Sequence, residues 1–354
     1  MTIAALLSFS LLSFSPLFAQ DTTQTYPWRL SWFPYPLASP NDGLMGLARA
    51  VWFRQSRWDD RVSIADQVAI DAGYSTKDAW LARVQGDFPR LAPGWRLQAF
   101  AEAAGLPHYL PGNILGEKAT REIAGFDVTR TLHGRLYLAL RAEAMHVRIP
   151  VDSNGQEITT SGATTETDIR GRLALIYDAR DREYDTRSGF LFQGGPIAGS
   201  ADNGYGGFYL LASVWLPLGE RTRLLVRTGG RNAEDGRIDA SRIVPAWEDE
   251  FVAGGGPESN RGLPVAAEAH ANTYMSSIEL RHDLKVFPGG ALAVIAFVDA
   301  TSNTDTPSGN PFKDVTPAPG LGVSLRLLRA AAFTVTAARA EGHVRIYAYT
   351  GWSW

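Results

Sequence analysis

Two groups of residues in this sequence could do chemistry: an arginine in a glycine-rich stretch, and acidic residues in oxygen-rich connections. "FVAGGGPESNRGLP" runs from Phe251 to Pro264 and carries a single fixed cation, Arg261. Glycine main chain beside a cation could cradle a phosphate, but a P-loop needs Gly-Lys-Ser/Thr opening a helix. Here Arg261 is followed by Gly262, Leu263 and Pro264, so no such helix begins. Asp178, Asp181 and Asp185 in "IYDARDREYDTRSGFLFQGG" could be taken for a calcium loop, as could the oxygens of "TSNTDTPSGNPFKD" at 301–314. Neither has the ordered ligand spacing of an EF-hand. The first reads as a charged turn between strands, with Gly189 relieving the chain's return, and the second as a surface loop. No metal and no cofactor is expected.

Hydrolysis would need a nucleophile and a base within hydrogen-bond reach. None of the six His residues stands two positions before a Ser, and His282 shares the face of Leu280 without such a partner. The expectation is a protein that is not an enzyme. With 354 residues, no Cys and a net charge of -3, the chain has no disulfide framework and no thiolate chemistry. Nor does it have the basic balance that nucleic acid requires.

The elements that position these residues are strands. "MTIAALLSFSLLSFSPLFAQ" has the apolar run of a secretory signal, with cleavage expected after Ala19, although no Lys or Arg precedes the run. Beyond it no apolar stretch is long enough to cross a membrane as a helix. If the chain spans a membrane, it does so as a closed barrel, which satisfies every backbone group. Period-two alternation supports that architecture. Leu173, Leu175 and Tyr177 oppose Arg170, Arg172 and Asp178, while Ile278, Leu280, Leu284 and Val286 oppose Glu279, Arg281, Asp283 and Lys285. Twelve residues rising about 3.3 Å each and tilted near 45° cover roughly 28 Å, the depth of a hydrocarbon core.

The expected fold is therefore all-β, a transmembrane antiparallel barrel of about sixteen strands. The strands fall near 28–36, 43–54, 62–73, 79–87, 94–104, 120–130, 133–147, 166–179, 186–199, 205–217, 221–231, 271–286, 290–300, 317–328, 331–339 and 343–354. The domain division is a signal peptide at 1–19, a short periplasmic leader at 20–27 and the barrel at 28–354. Long connections follow odd strands and short turns follow most even ones, the parity of extracellular loops and periplasmic turns. Only four of the 34 basic residues are Lys, so the lumen should be braced by Arg forks on carboxylates rather than open and watery.

The last strand, "HVRIYAYTGWSW", places Val344, Ile346, Trp352 and Trp354 on one parity and Arg345, Tyr347 and Tyr349 on the other. Trp352 and Trp354 suit an interfacial girdle. Tyr349, Gly351, Trp352 and Trp354 form an aromatic end that resembles the assembly signal of outer-membrane barrels. Three stretches in order, "YDARDREYDTRSGF", "FVAGGGPESNRGLP" and "IELRHDL" with "FVDAT", resemble the barrel domain of the BamA/TamA family of bacterial surface antigens. The resemblance covers about residues 28–354 and no POTRA repeats.

It implies that the Arg261–Gly262 tip of the sixth extracellular loop folds into the lumen against Glu279 and Asp299. Parity points both carboxylates inward. The family usually has an aromatic after Arg-Gly, where this chain has Leu263. The resemblance further implies a location in the outer membrane of a Gram-negative bacterium and insertion or translocation of outer-membrane components through a seam between the first and last strands. The implied partners are outer-membrane lipid, client barrel proteins or a separate POTRA-bearing subunit. The alternative is a passive or gated pore, or a structural barrel without clients.

Overall fold

A computed structural model describes residues 27–55, 64–106, 119–148, 165–200, 204–233, 255–257, 259–264, 272–287, 290–304, 313–327 and 331–350. The stretch expected to be a signal peptide, most of the expected leader, and Gly351, Trp352 and Trp354 of the aromatic end lie outside the described residues. Sixteen strands follow in order: β1 (Arg29–Ser39), β2 (Gly43–Gln55), β3 (Ile64–Ser75), β4 (Trp80–Ala92), β5 (Trp95–Leu106), β6 (Ala119–His133), β7 (Leu136–Arg148) and β8 (Thr165–Asp178). They continue as β9 (Gly189–Gly199), β10 (Tyr205–Pro217), β11 (Thr222–Ala233), β12 (Asn272–Phe287), β13 (Gly290–Thr304), β14 (Thr316–Leu327), β15 (Ala331–Ala340) and β16 (His343–Thr350). Each pairs antiparallel with its chain neighbours, and β1 meets β16 to close a barrel.

The period-two pattern sorts the two faces. Ile278, Leu280, Val298, Leu321 and Val335 lie exposed on the outer wall, where only an apolar solvent makes such a surface favourable. Trp80 and Trp95, at opposite ends of the β4–β5 hairpin, are outward and exposed, as amphipathic rings are at membrane interfaces. The inner face is buried and ionic. Arg49 meets Asp71 at 3.3 Å, Arg96 forks onto Asp87, Arg121 reaches Glu102, and Arg141 and Arg170 share Glu143. These partners sit one strand apart or on the same strand, so the ladder register itself sets the charges against each other.

The turn after β8 departs from the sequence-based expectation. The alternation pattern places the start of β9 at 186 and reads the acidic run as a charged turn. Instead β9 begins at Gly189, whose φ of 113° suits glycine, and residues 183–186 fold inward across the short-turn mouth. Asp185, held in the left-handed region at φ 53°, accepts from Arg223 Nη1 at 2.9 Å and pairs with Arg326. On the other side Glu183 pairs with Arg96. Period-two reading cannot find this, because the turn makes its contacts outside any strand register.

Burial pushes the Asp185 carboxyl up, but the guanidinium groups of Arg223 and Arg326 outweigh it and hold the carboxyl below its ordinary value of 3.8. A depressed folded value means that this contribution to stability is complete above the unfolded value and is lost as pH falls through the folded one. The stability advantage of the native protein over Asp185→Asn should therefore be constant near neutrality and shrink below about pH 4. Urea midpoints of both proteins across that range check it. An advantage independent of pH would show that Asp185 is not ionised in the fold.

Candidate functional site

The described tip of the β11–β12 connection enters the lumen and rests on the inner faces of β12, β13 and β16. Gly255 and Gly256 have φ of 110° and 96°, and a Cβ on Gly255 would stand 2.0 Å from the Pro264 carbonyl. The tip closes on itself through Gly256 N–H to Asn260 O at 3.0 Å and Leu263 N–H to Asn260 O at 3.1 Å. The Asn260 side chain donates outward to Thr301 Oγ1 and Thr316 O, which fixes the tip against β13 and β14.

Arg261 is fully buried. The β12–β13 register places Ser277 opposite Asp299 and Glu279 opposite Phe297, all four on the inner face. Arg261 lies over that square. Its Nε and Nη2 donate to the two oxygens of Asp299 at 2.8 Å each, its Nη1 donates to Glu279 Oε2 at 2.7 Å, and its main-chain N–H adds a bond to Asp299 at 3.0 Å. The guanidinium carbon is 3.4 Å from the centroid of the Phe297 ring. Arg281 donates to the other Glu279 oxygen at 2.6 Å, so two cations balance two carboxylates. Only a planar fork of donors can serve Asp299 and Glu279 at once, and a Lys ammonium would leave most of these acceptors unmet. A dry, multiply bonded cluster is worth several kcal/mol more than an exposed pair, whose contribution is about 0–1 kcal/mol.

Two neighbours tie the tip to the last strand. Arg345 donates to the Gly262 carbonyl, and Tyr347 Oη donates to Leu263 O at 2.6 Å. Gly262 is needed for this approach, since a Cβ there would stand 2.5 Å from the Ala318 methyl and 2.8 Å from that of Ala340. Leu263, where the resemblance would place an aromatic, fills a small pocket against those same alanines. The structure thus brings Arg261, Gly262, Glu279 and Asp299 together. Tyr349, buried on the inner face of β16, stands close enough to Arg261 to interact with it electrostatically.

The closing seam is the second feature. β1 stays in register with β2 from Arg29–Phe53 to Ser39–Gly43, yet across the seam Ala38–Ala348 is the one registered pair among the described residues. The reason lies in "PYPLASP", residues 34–40. Thr76 N–H donates to Leu44 O, so the main chain of Leu44 points to β3 and the odd residues of β2 point to β1. Their partners Tyr35, Leu37 and Ser39 therefore face β2, and Pro34, Pro36, Ala38 and Pro40 face β16. Proline has no N–H to give a ladder. Ala38 is the only residue of that run with a donor, and it makes the pair. The period-two pattern does not single out these prolines; their signal is a shared parity at the first strand, where a ladder must close.

This is a transmembrane barrel of sixteen antiparallel strands, its lumen entered by an arginine-tipped connection and its closure made, among the described residues, by one registered pair. Among solved structures, it is similar to the BamA of Haemophilus ducreyi lacking POTRA domains 1–3, with a TM-score of 0.58 and 12% identity over 91% of this chain and 70% of that one. It is also similar to CdiB from Escherichia coli, with a TM-score of 0.58 and 12% identity over 94% of this chain and 69% of that one. CdiB from Acinetobacter baumannii gives 0.57 and 10%, over 91% and 59%. At these identities the likeness is one of fold. No family model and no curated protein matches the sequence.

Proposed function

We propose that this chain is a non-enzymatic outer-membrane barrel that assists insertion or translocation of outer-membrane components, with β1 and β16 parting to admit them. The single registered pair at Ala38–Ala348 among the described residues carries this reading, because every other junction of the barrel is a multi-residue ladder. A strand edge without partners templates pairing with another strand, and in lipid its unmet groups are costly enough to favour such an exchange. The Arg261 cluster acts as a latch that keeps the lumen filled and holds β16 in place while the seam works. The likeness in fold to BamA and CdiB barrels supports the assignment, as does the apolar outer wall. Its partners are outer-membrane lipid and client barrel proteins, with or without a separate POTRA-bearing subunit.

The chain has no Cys, so one engineered pair is unambiguous. Directly opposed residues of a hydrogen-bonded antiparallel pair stand about 5.5 Å apart, within disulfide range. Ala38→Cys with Ala348→Cys should cross-link on oxidation. Assembly of a urea-denatured eight-stranded barrel protein into proteoliposomes should then stop, and should resume on reduction. Equal activity in the oxidised and reduced states would exclude a seam mechanism.

A further inference from the structure

We infer that the lumen holds a binding site for a phosphate group, in a recess on the inner wall between β7 and β11. The site stands apart from the seam and from the Arg261 tip. Arg49, Arg96, Arg121 and Arg261 each meet a carboxylate. The recess is different. The guanidinium groups of Arg141, Arg170, Arg172 and Arg231 line it with one carboxylate, Glu143, to which Arg141 and Arg170 both donate. Asp127, opposite Arg141 across the β6–β7 ladder, and Asp168, which accepts from Tyr205 Oη at 2.8 Å, stand behind this lining. With both counted, cations remain in excess among the described residues.

The ladder makes that excess costly. Arg141 stands directly opposite Arg172 in the β7–β8 register, and like charges so placed destabilise a sheet. Glu143 serves Arg141 and Arg170, which leaves Arg172 to the ring of Tyr209, its guanidinium carbon 5.5 Å from the centroid. Arg172 makes no side-chain hydrogen bond or ion pair among the described residues. A ring engages one face of a guanidinium and leaves the donors at its edge for a ligand. Arg231 lies likewise over Tyr205, at 6.0 Å.

β9 makes the space. It presents Gly195, Ile197 and Gly199 to the lumen, between the arginines of β8 and the tyrosines of β10. A Cβ on Gly199 would stand 2.3 Å from the Tyr205 ring, so that ring lies over bare main chain. The result is a cleft with a floor of small residues and guanidinium groups on both sides. Such forks suit an anion that offers oxygens in several directions. A phosphate monoester does so and carries about −1.5 to −2 charge at neutral pH. A carboxylate brings one charge and two oxygens, and leaves more of the excess unanswered. Tyr205 and Arg231 stand near the ends of β10 and β11, on the side of the long connections, so the site lies toward that mouth.

Isothermal titration of the folded barrel in non-ionic detergent at low chloride tests this, with inorganic phosphate, a hexose 1-phosphate and short-chain phosphatidic acid as probes. Saturable binding of at least one probe is expected, about tenfold or more weaker in Arg172→Gln and partly restored in Arg172→Lys. Arg339→Gln, which removes an exposed arginine from the outer wall, should leave the affinity unchanged and controls for general charge. Heat-modifiable migration checks the folding of each variant, and in the native protein a bound probe should also raise the urea midpoint. Equal affinity for the three probes would identify the phosphate group alone as the ligand. Tighter binding of the hexose ester or of phosphatidic acid would identify a phosphorylated sugar or lipid as its bearer. No saturable binding at millimolar concentration, or equal affinity in native protein and folded Arg172→Gln, would overturn the inference and leave seam-mediated assembly standing.

Discussion

Replacing Arg261 by alanine is expected to destabilise the folded barrel by about 3–5 kcal/mol, the usual cost of removing one partner from a buried ion cluster. Two effects add. Asp299 and Glu279, both fully buried, lose the fork that neutralises them, while Arg281 still donates to Glu279. The loop tip also loses the guanidinium bonds that hold it to β12 and β13, keeping among the described residues the bonds of Asn260, Arg345 and Tyr347, one main-chain bond to Asp299, and the packing of Leu263. Urea midpoints in detergent measure the first effect. A planar-bilayer recording measures the second, where conductance should become larger and noisier as the tip leaves the lumen.

Arg261→Lys should recover little of either, since a point charge cannot fork onto Asp299 while reaching Glu279. Combining Arg261→Met with Asp299→Asn and Glu279→Gln should recover part of the stability by removing the stranded charges. A midpoint shift worth less than about 1 kcal/mol, the range of an exposed pair, together with unchanged conductance would reject the latch.

The strands and the inward direction of the two carboxylates were legible for one shared reason. A wall one residue thick, with lipid outside and ions inside, imposes period two on every strand, so faces can be read without knowing neighbours. Glu279 and Asp299 thereby read as facing inward, whereas the place of Arg261 against them is what the resemblance to the BamA/TamA family implies. What escaped depends on contacts that parity does not encode. Asp185 reaches Arg223 and Arg326 because a turn folds across the mouth, and those strands are distant in sequence. Leu263 succeeds in an aromatic's position because Ala318 and Ala340 leave room for it, and that fit joins three separate segments.

The prolines of β1 are a different case, since their information is local. Pro34, Pro36 and Pro40 share one parity, and a proline in a strand is tolerated where its missing N–H faces an edge. Reading them that way required knowing that β1 has an edge to spare, which in turn required the closed strand order with its junction at β1 and β16.

Pro34→Ala combined with Pro36→Ala should close the seam. The double change returns two N–H groups on the face opposite β16, each worth about 0.5–1.5 kcal/mol if it pairs. Loss of two prolines also frees the unfolded chain, which costs about 0.4–1 kcal/mol per site. That loss lowers global stability, but it does not bear on whether the folded barrel's seam is open or shut. The two energies therefore separate by experiment. The urea midpoint should move little, while amide exchange at Ala348 and Thr350 should slow, because β1 can now meet them over more than one pair. About 1–3 kcal/mol in favour of the closed seam corresponds to a roughly five- to hundredfold smaller open population, and seam-dependent assembly should fall with it. The outcome that defeats this account is unchanged exchange on β16 in a well-folded double variant. The seam would then be held apart by the curvature of the wall and not by the donors its first strand lacks.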